Sequence, residues 1–269
     1  MTTSNTQNLT IADTKFGITL KSKREIDLMR KSALILARSL ETLIEVIKPG
    51  MTTKECDKIA ELAIRSQGGK PAFKGYRGFP ASLCISVNDE IVHGIPGDRI
   101  LLDGDIVSID LGAIVEGYYS DSALTIPIGT IDATGQKLIE VGSEALRVGI
   151  SKALTGNKIG DISEAVENVI KSHDLEVVRE YVGHGIGQQL HEEPSVPNYR
   201  MSTKGPILRP GMVIAIEPMV VAGDWKTAVL DDEWTVVTAD GKLSSHFEHT
   251  VAITEEGPEI LTLRKSEQG

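Results

Sequence analysis

Elements of the first half of this 269-residue chain recur in the same order in the second half, and that ordered repeat constrains the fold more than any other feature. Gly50-Met-Thr-Thr-Lys-Glu, which opens a helix, has a counterpart in Gly156-Asn-Lys-Ile-Gly-Asp, an offset of 106. GDIVSID at 104–110 matches GMVIAIE at 211–217, an offset of 107, each a glycine turn and an apolar strand ending in a carboxylate. HGI at 93–95 recurs at 184–186, and YYSDSALTI at 118–126 aligns with SHFEHTVAI at 245–253, which sets Asp121 opposite Glu248. One such recurrence would mean little in an α/β chain. Several in order predict two duplicated halves related by a pseudo-twofold axis, with equivalent positions converging on it. Two copies of about 100 residues do not make a solenoid.

Local patterns predict the elements of an α/β (α+β) fold. Ile26, Met29, Leu34, Ile35, Leu40, Leu43 and Ile44 recur at helical spacing, and Lys48-Pro49-Gly50 closes the helix. A second helix starts at Thr52 or Thr53, where a hydroxyl caps an acidic first turn, and runs to about Gln67 before Gly68-Gly69. Strands are expected around 83–87, 105–111 and 118–126, rich in Val, Ile and Tyr between Gly and Asp. Residues 1–20 read as a flexible polar lead, 21–264 as a single domain and 265–269 as a tail.

Charge and cysteine content narrow the function classes. The 28 Lys and Arg against 38 Asp and Glu give a net charge of −10, which repels nucleic-acid phosphates and anionic lipid surfaces. The N-terminus has no continuous apolar stretch of the secretory type, and no later apolar run is long enough to span a bilayer. Cys56 and Cys84 lack the spacing of a redox pair or zinc knuckle, so both are expected as reduced thiols in a cytoplasmic protein.

The acids of the repeat carry the chemistry. Asp110 follows an apolar strand and Asp121 sits inside another; Glu217 and Glu248 occupy the same contexts in the second half. Four carboxylates embedded in core-like strands are costly unless cations neutralise them. His184, in VGHGIG, has flanking glycines that let the backbone approach closely and leave its imidazole open to a site. Carboxylates with one imidazole form a hard donor set suited to a pair of Mn²⁺, Fe²⁺, Co²⁺ or Zn²⁺ ions.

NDEIVHGIP (88–96), DIVSIDLG with YYSDSA, GHGIGQQLHEEP (183–194), IAIEPM (214–219) and HFEHT (246–250) resemble the methionine aminopeptidases, in particular the bacterial-type enzymes of the first class. The resemblance runs from about residue 20 to 264. It implies the duplicated pita-bread fold, a central antiparallel sheet with helices outside. It also implies metal-dependent removal of the initiator methionine from peptides and nascent chains, with a small second residue preferred. The metal ligands it implies are Asp110, Asp121, His184, Glu217 and Glu248, with Asp121 and Glu248 bridging two divalent ions. His93 would face the scissile amide nitrogen, and His191 would donate to the carbonyl and its oxyanion. Glu217 would pass the proton of a metal-activated water to the leaving amine.

AFKGYRGFPASLC resembles the family's methionine pocket, built from Phe79, Cys84, Trp234 and also Tyr76 and Phe247, an apolar lining suited to a thioether. The family often has Tyr at the position of Phe79 and Cys at that of Phe73, departures that alter the pocket's shape and keep its apolar character. The resemblance further suggests a monomer that meets chains at the ribosome. The nearest rival is an Xaa-Pro aminopeptidase or dipeptidase, which usually has a long N-terminal domain that about 20 residues cannot provide. A binding module that had lost its metals would be expected to replace a ligand. A plain α/β domain leaves the recurrence of the acids unexplained.

Overall fold

The computed structural model describes residues 11–13 and 16–268. Four helices, α1 (Lys23–Val46), α2 (Thr53–Ser66), α3 (Ala133–Ser151) and α4 (Ile159–Ser172), pack outside antiparallel sheets. Six strands carry the argument: β1 (Leu83–Val87), β2 (Ile106–Val115), β3 (Tyr118–Pro127), β4 (Gly183–Gly185), β5 (Val213–Ile216) and β6 (His249–Thr254).

Local chemistry sets the helix starts. The Ser22 hydroxyl accepts from the Glu25 N–H (3.4 Å) while the Glu25 carboxylate accepts from the Ser22 N–H (2.7 Å), and Thr52 with Glu55 repeats this box before α2 (3.2 and 2.7 Å). α1 buries Met29, Ala33, Leu36, Leu40 and Leu43 at helical spacing, whereas Leu34, expected on that stripe, is exposed. α1 and α2 cover a core of Leu36, Leu40, Ile64, Ile85, Val107 and Ile109. α3 and α4 cover a second one, with Leu138, Ile162, Val166, Ile214, Ile216 and Val251.

The duplication is visible bond by bond. Gly50 N–H donates to Leu101 O (2.8 Å) as Gly156 does to Leu208 (3.0 Å), and Leu101 N–H donates to Met51 O (2.8 Å) as Leu208 does to Asn157 (2.7 Å). Gly50 and Gly156 share a φ of +91°, a left-handed conformation that glycine adopts without steric cost. The isolated bridges Thr52–Ile100 and Lys158–Ile207 complete the match.

The register also corrects two parts of the sequence alignment. Ile106 pairs with Pro127 and Val213 pairs with Ala252, so an offset of 107 on β2 and β5 implies 125 on β3 and β6. The matched bonds Gly104 N–H to Ile128 O and Gly211 N–H to Ile253 O follow that offset. The counterpart of Glu248 is therefore Ala123, and that of Asp121 is His246. A shift of two residues keeps the same pleat face, so the sequence pattern could not detect it. Asn88 N–H donates to Ile106 O (2.9 Å) as Ile186 does to Val213 (3.1 Å), which makes β4 the counterpart of β1 and His184 that of Ser86. His93-Gly94-Ile95 instead lies beside β1, with Ile85 N–H donating to Gly94 O at 2.9 Å. The two HGI triplets are not equivalent.

The halves join at the axis. Ala123 and Glu248 exchange backbone hydrogen bonds (3.3 and 2.8 Å), and the Thr250 hydroxyl bridges the Asp121 N–H and C=O (3.0 and 2.8 Å). Of the expected N-terminal lead, residues 1–10, 14 and 15 lie outside the described residues. The rest is built in: Ile11–Asp13 pairs with Ile18–Leu20, Ile18 enters the second core, and the buried Lys21 bonds Glu192 at 2.7 Å. Of the expected tail, Lys265–Glu267 forms a 3₁₀ turn whose Glu267 side chain pairs with the buried Arg264. No helix among the described residues is long and apolar enough to cross a membrane.

Candidate active site and metal centre

Strand register brings the acids together. Asp110 on β2 pairs with Ala123, and Asp121 lies two residues along β3 from Ala123, so both acids project from one face. Glu217 directly follows Ile216 and Glu248 directly precedes His249, the last pair of the β5–β6 ladder, so both acids extend it at the same end. His184 sits on β4, next to β5. Its glycine flanks are steric necessities: a Cβ on Gly183 would lie 2.4 Å from Ala215 O, and one on Gly185 would lie 2.2 Å from Glu193 O. The imidazole Nδ1 meets the Gly185 carbonyl at 2.9 Å, leaving Nε2 turned to the site, 3.5 Å from Glu217 Oε1.

Ligand atoms of Asp121, His184 and Glu248 lie within 4.8 Å of one another. Buried Asp110 Oδ1, Asp121 Oδ1 and Glu248 Oε1 have no hydrogen-bond partner. Unpaired buried carboxylate oxygens beside an imidazole nitrogen are what a bound cation would satisfy, so these residues fit a metal. The electrostatics agree. Burial pushes Asp110 up to about 7, and burial followed by mutual repulsion pushes Asp121, Glu217 and Glu248 well above the usual carboxylate range. Burial drives His184 down to about 3, leaving a neutral ring free to ligate.

Over these acids opens a cleft of about 180 Å³, whose lining includes the apolar side chains of Phe73, Phe79, Cys84 and Trp234. Phe79 and Trp234 meet edge to face at 5.1 Å, and both cysteines are buried free thiols. Phe247, expected in this pocket, belongs instead to the second core, where its ring would lie 2.6 Å from a Cβ on Gly142 of α3.

His93 and His191 both line the cleft. His93 has a left-handed backbone (φ +61°) because Gly94 is pressed onto β1, where a Cβ would lie 2.3 Å from Ile85 O. Its ring meets Tyr181 and Trp234 edge-on, and burial lowers its pKa to about 4. The His191 ring centroid lies 4.2 Å from that of His184. Its Nδ1 is 2.8 Å from the Tyr76 hydroxyl. With that hydroxyl donating, the neutral His191 ring carries its proton on Nε2 and is a hydrogen-bond donor there.

Sequence reasoning missed two neighbours, Tyr181 and His246, and the hydrogen bond of a third, Tyr76. Tyr181 steers His93, and Tyr76 orients His191, although it was expected only as pocket lining. His246, the counterpart of Asp121, is buried with neither ring nitrogen bonded and lies 3.9 Å from Glu217 Oε2. The aligned SHFEHTVAI segment contained that signal, but an offset two residues off hid it.

The profile of metallopeptidase family M24 matches residues 27–255. The chain belongs to that family. It is 54% identical over 245 residues to methionine aminopeptidase 1 of Bacillus subtilis, covering 91% of this chain and 99% of that one. It is 52% identical over 248 residues to the methionine aminopeptidase of Clostridium perfringens, covering 92% and 100%. The crystal structure of methionine aminopeptidase from Rickettsia prowazekii superposes with a TM-score of 0.89 at 38% identity, covering 91% of this chain and all of that one. The motif resemblance and the duplicated pita-bread fold it implied are both borne out.

Proposed function

We propose that this chain removes the N-terminal methionine from peptides and nascent proteins by metal-dependent hydrolysis, preferring a small second residue. The observation that carries the reading is the gathering of three orphaned carboxylate oxygens with His184 beneath an apolar cleft that His191 also lines. The similarity to methionine aminopeptidases over nearly their whole length supports it.

Asp110, Asp121, His184, Glu217 and Glu248 would hold two divalent ions, Co²⁺, Mn²⁺, Fe²⁺ or Zn²⁺. Bound metal supplies Lewis acidity, which lowers the pKa of a water towards neutrality and polarises a carbonyl. Phe79, Cys84, Trp234 and Phe73 accept the unbranched thioether side chain and exclude water and charge. Glu217 takes the proton of the attacking water and returns it to the leaving amine. His191 donates from Nε2 to the scissile carbonyl oxygen as it gains charge. His93, held by Tyr181 and Trp234, faces the scissile nitrogen, and with the 71–80 loop it limits the room for the second side chain. The same reading places the chain in the cytoplasm as a monomer that meets substrates near the ribosome.

The test pairs Met-Ala-Ser with Ala-Pro as substrates of the metal-loaded chain. Free methionine from the first and no cleavage of the second are expected. Cleavage of Ala-Pro with none of Met-Ala-Ser would overturn the proposal in favour of an Xaa-Pro enzyme.

A further inference from the structure

Among the described residues that line the cleft, Arg77 is the only lysine or arginine. It is exposed and forms no ion pair among the described residues, in a chain with 38 acidic side chains. Its backbone is left-handed (φ +49°), in a short turn flanked by Gly75 and Gly78, both also at positive φ. Such a conformation costs a non-glycine residue about 1 kcal/mol. The Arg77 guanidinium lies over the Tyr76 ring at 5.4 Å, and Tyr76 stacks on His191 at 5.5 Å.

These contacts tie Arg77 to His191 through Tyr76. In the proposed function, on which this inference rests, methionine fills the space lined by Phe79, Cys84 and Trp234, and the scissile carbonyl sits at His191. The peptide beyond the second residue then leaves past Tyr76. We infer that Arg77 is a specificity-determining residue that favours substrates with an acidic side chain immediately after the small second residue. The planar guanidinium offers an unused donor fork that matches a carboxylate. The net charge of −10 repels acidic peptides at long range, which leaves an isolated cation at the rim as their local point of attraction.

The experiment measures kcat/KM of the metal-loaded chain on amidated Met-Ala-Glu, Met-Ala-Gln and Met-Ala-Lys, and on Met-Ala-Gln with a free carboxylate, for wild type, R77Q and R77E. Wild type should prefer Glu over Gln by about 2- to 5-fold, as for an exposed charge pair, and high salt should shrink that ratio. R77Q should flatten the series and R77E should invert the order of Glu and Lys, an inversion that a merely structural role cannot produce. The same Glu-to-Lys ratio in wild type and R77E would overturn the inference alone. A preference for the free carboxylate with no effect of the side chain would reassign Arg77 to the chain end and overturn it as stated. No methionine release from any peptide would overturn the proposed function and this inference with it.

Discussion

The two halves share a backbone and divide the chemistry unequally. Equivalent bonds recur from Gly50 and Gly156 through β2 and β5 to the ends of β3 and β6. Of the five candidate ligands, only Asp110 and Glu217 occupy equivalent positions. Asp121 faces a histidine counterpart, His246; Glu248 faces an alanine, Ala123; and His184 faces a serine, Ser86. Duplication thus explains why donors converge on one axis, and the departures from symmetry explain what the site can do. Two identical halves would present the same donors twice. The observed halves gather an acid-rich floor on both sides, an imidazole on β4 where β1 has a serine, and a cleft-lining His93 that is not the counterpart of His184.

Substitutions at paired positions test that division. Glu217→Gln keeps the shape and removes the proposed base, and should lower kcat on the order of 10²–10⁴-fold. An equal loss of methionine release and of metal affinity would show a ligand role alone. His191→Ala should lower kcat on the order of 10²–10³-fold with little change in KM. A rise in KM at constant kcat would instead make it a ground-state contact.

Stability of the metal-free chain gives a third test. Asp110 is raised by burial from the ordinary 3.8 to about 7, and burial and mutual repulsion raise Asp121, Glu217 and Glu248 well above the ordinary carboxylate range. The native state therefore holds protons that the unfolded chain has released, and stability is lost as pH rises through the native values. The buried histidines act oppositely: His184 and His246, lowered to about 3, and His93, lowered to about 4, add stability as pH rises to about 6.5. The loss should emerge alone above about pH 6.5, as a falling Tm that added Mn²⁺ abolishes. A Tm that stays flat without metal would contradict the buried-acid account.

The smallest effects compare structural equivalents. Ser86→Ala removes the hydroxyl that accepts from the Gly94 N–H at 3.1 Å, and should cost about 1 kcal/mol in urea unfolding while sparing metal binding. Loss of metal binding there would mean that the first half hides a donor of its own.

Much of this was legible in residues. α2 was placed within one residue because Thr52, Glu55 and Gly68-Gly69 are local signals. The four acidic candidates were legible because acids inside apolar strands are conspicuous, and His184 because glycines flank it. Register was not: a slip of two preserves the pleat pattern, so the alignment paired Asp121 with Glu248 and passed over His246. The HGI triplets matched as text although one lies on β4 and the other returns beside β1. The bond between Tyr76 and His191 joins residues 115 apart and needs the fold to bring them together.

The most direct measurement is methionine release from Met-Ala-Ser by the metal-stripped chain as Mn²⁺ or Co²⁺ is titrated back, beside His184→Ala and Ser86→Ala. The account predicts activity that appears with metal in wild type and Ser86→Ala and is absent in His184→Ala at every metal concentration. Equal activity in the two variants, or none in a folded wild type with any divalent metal, would contradict it.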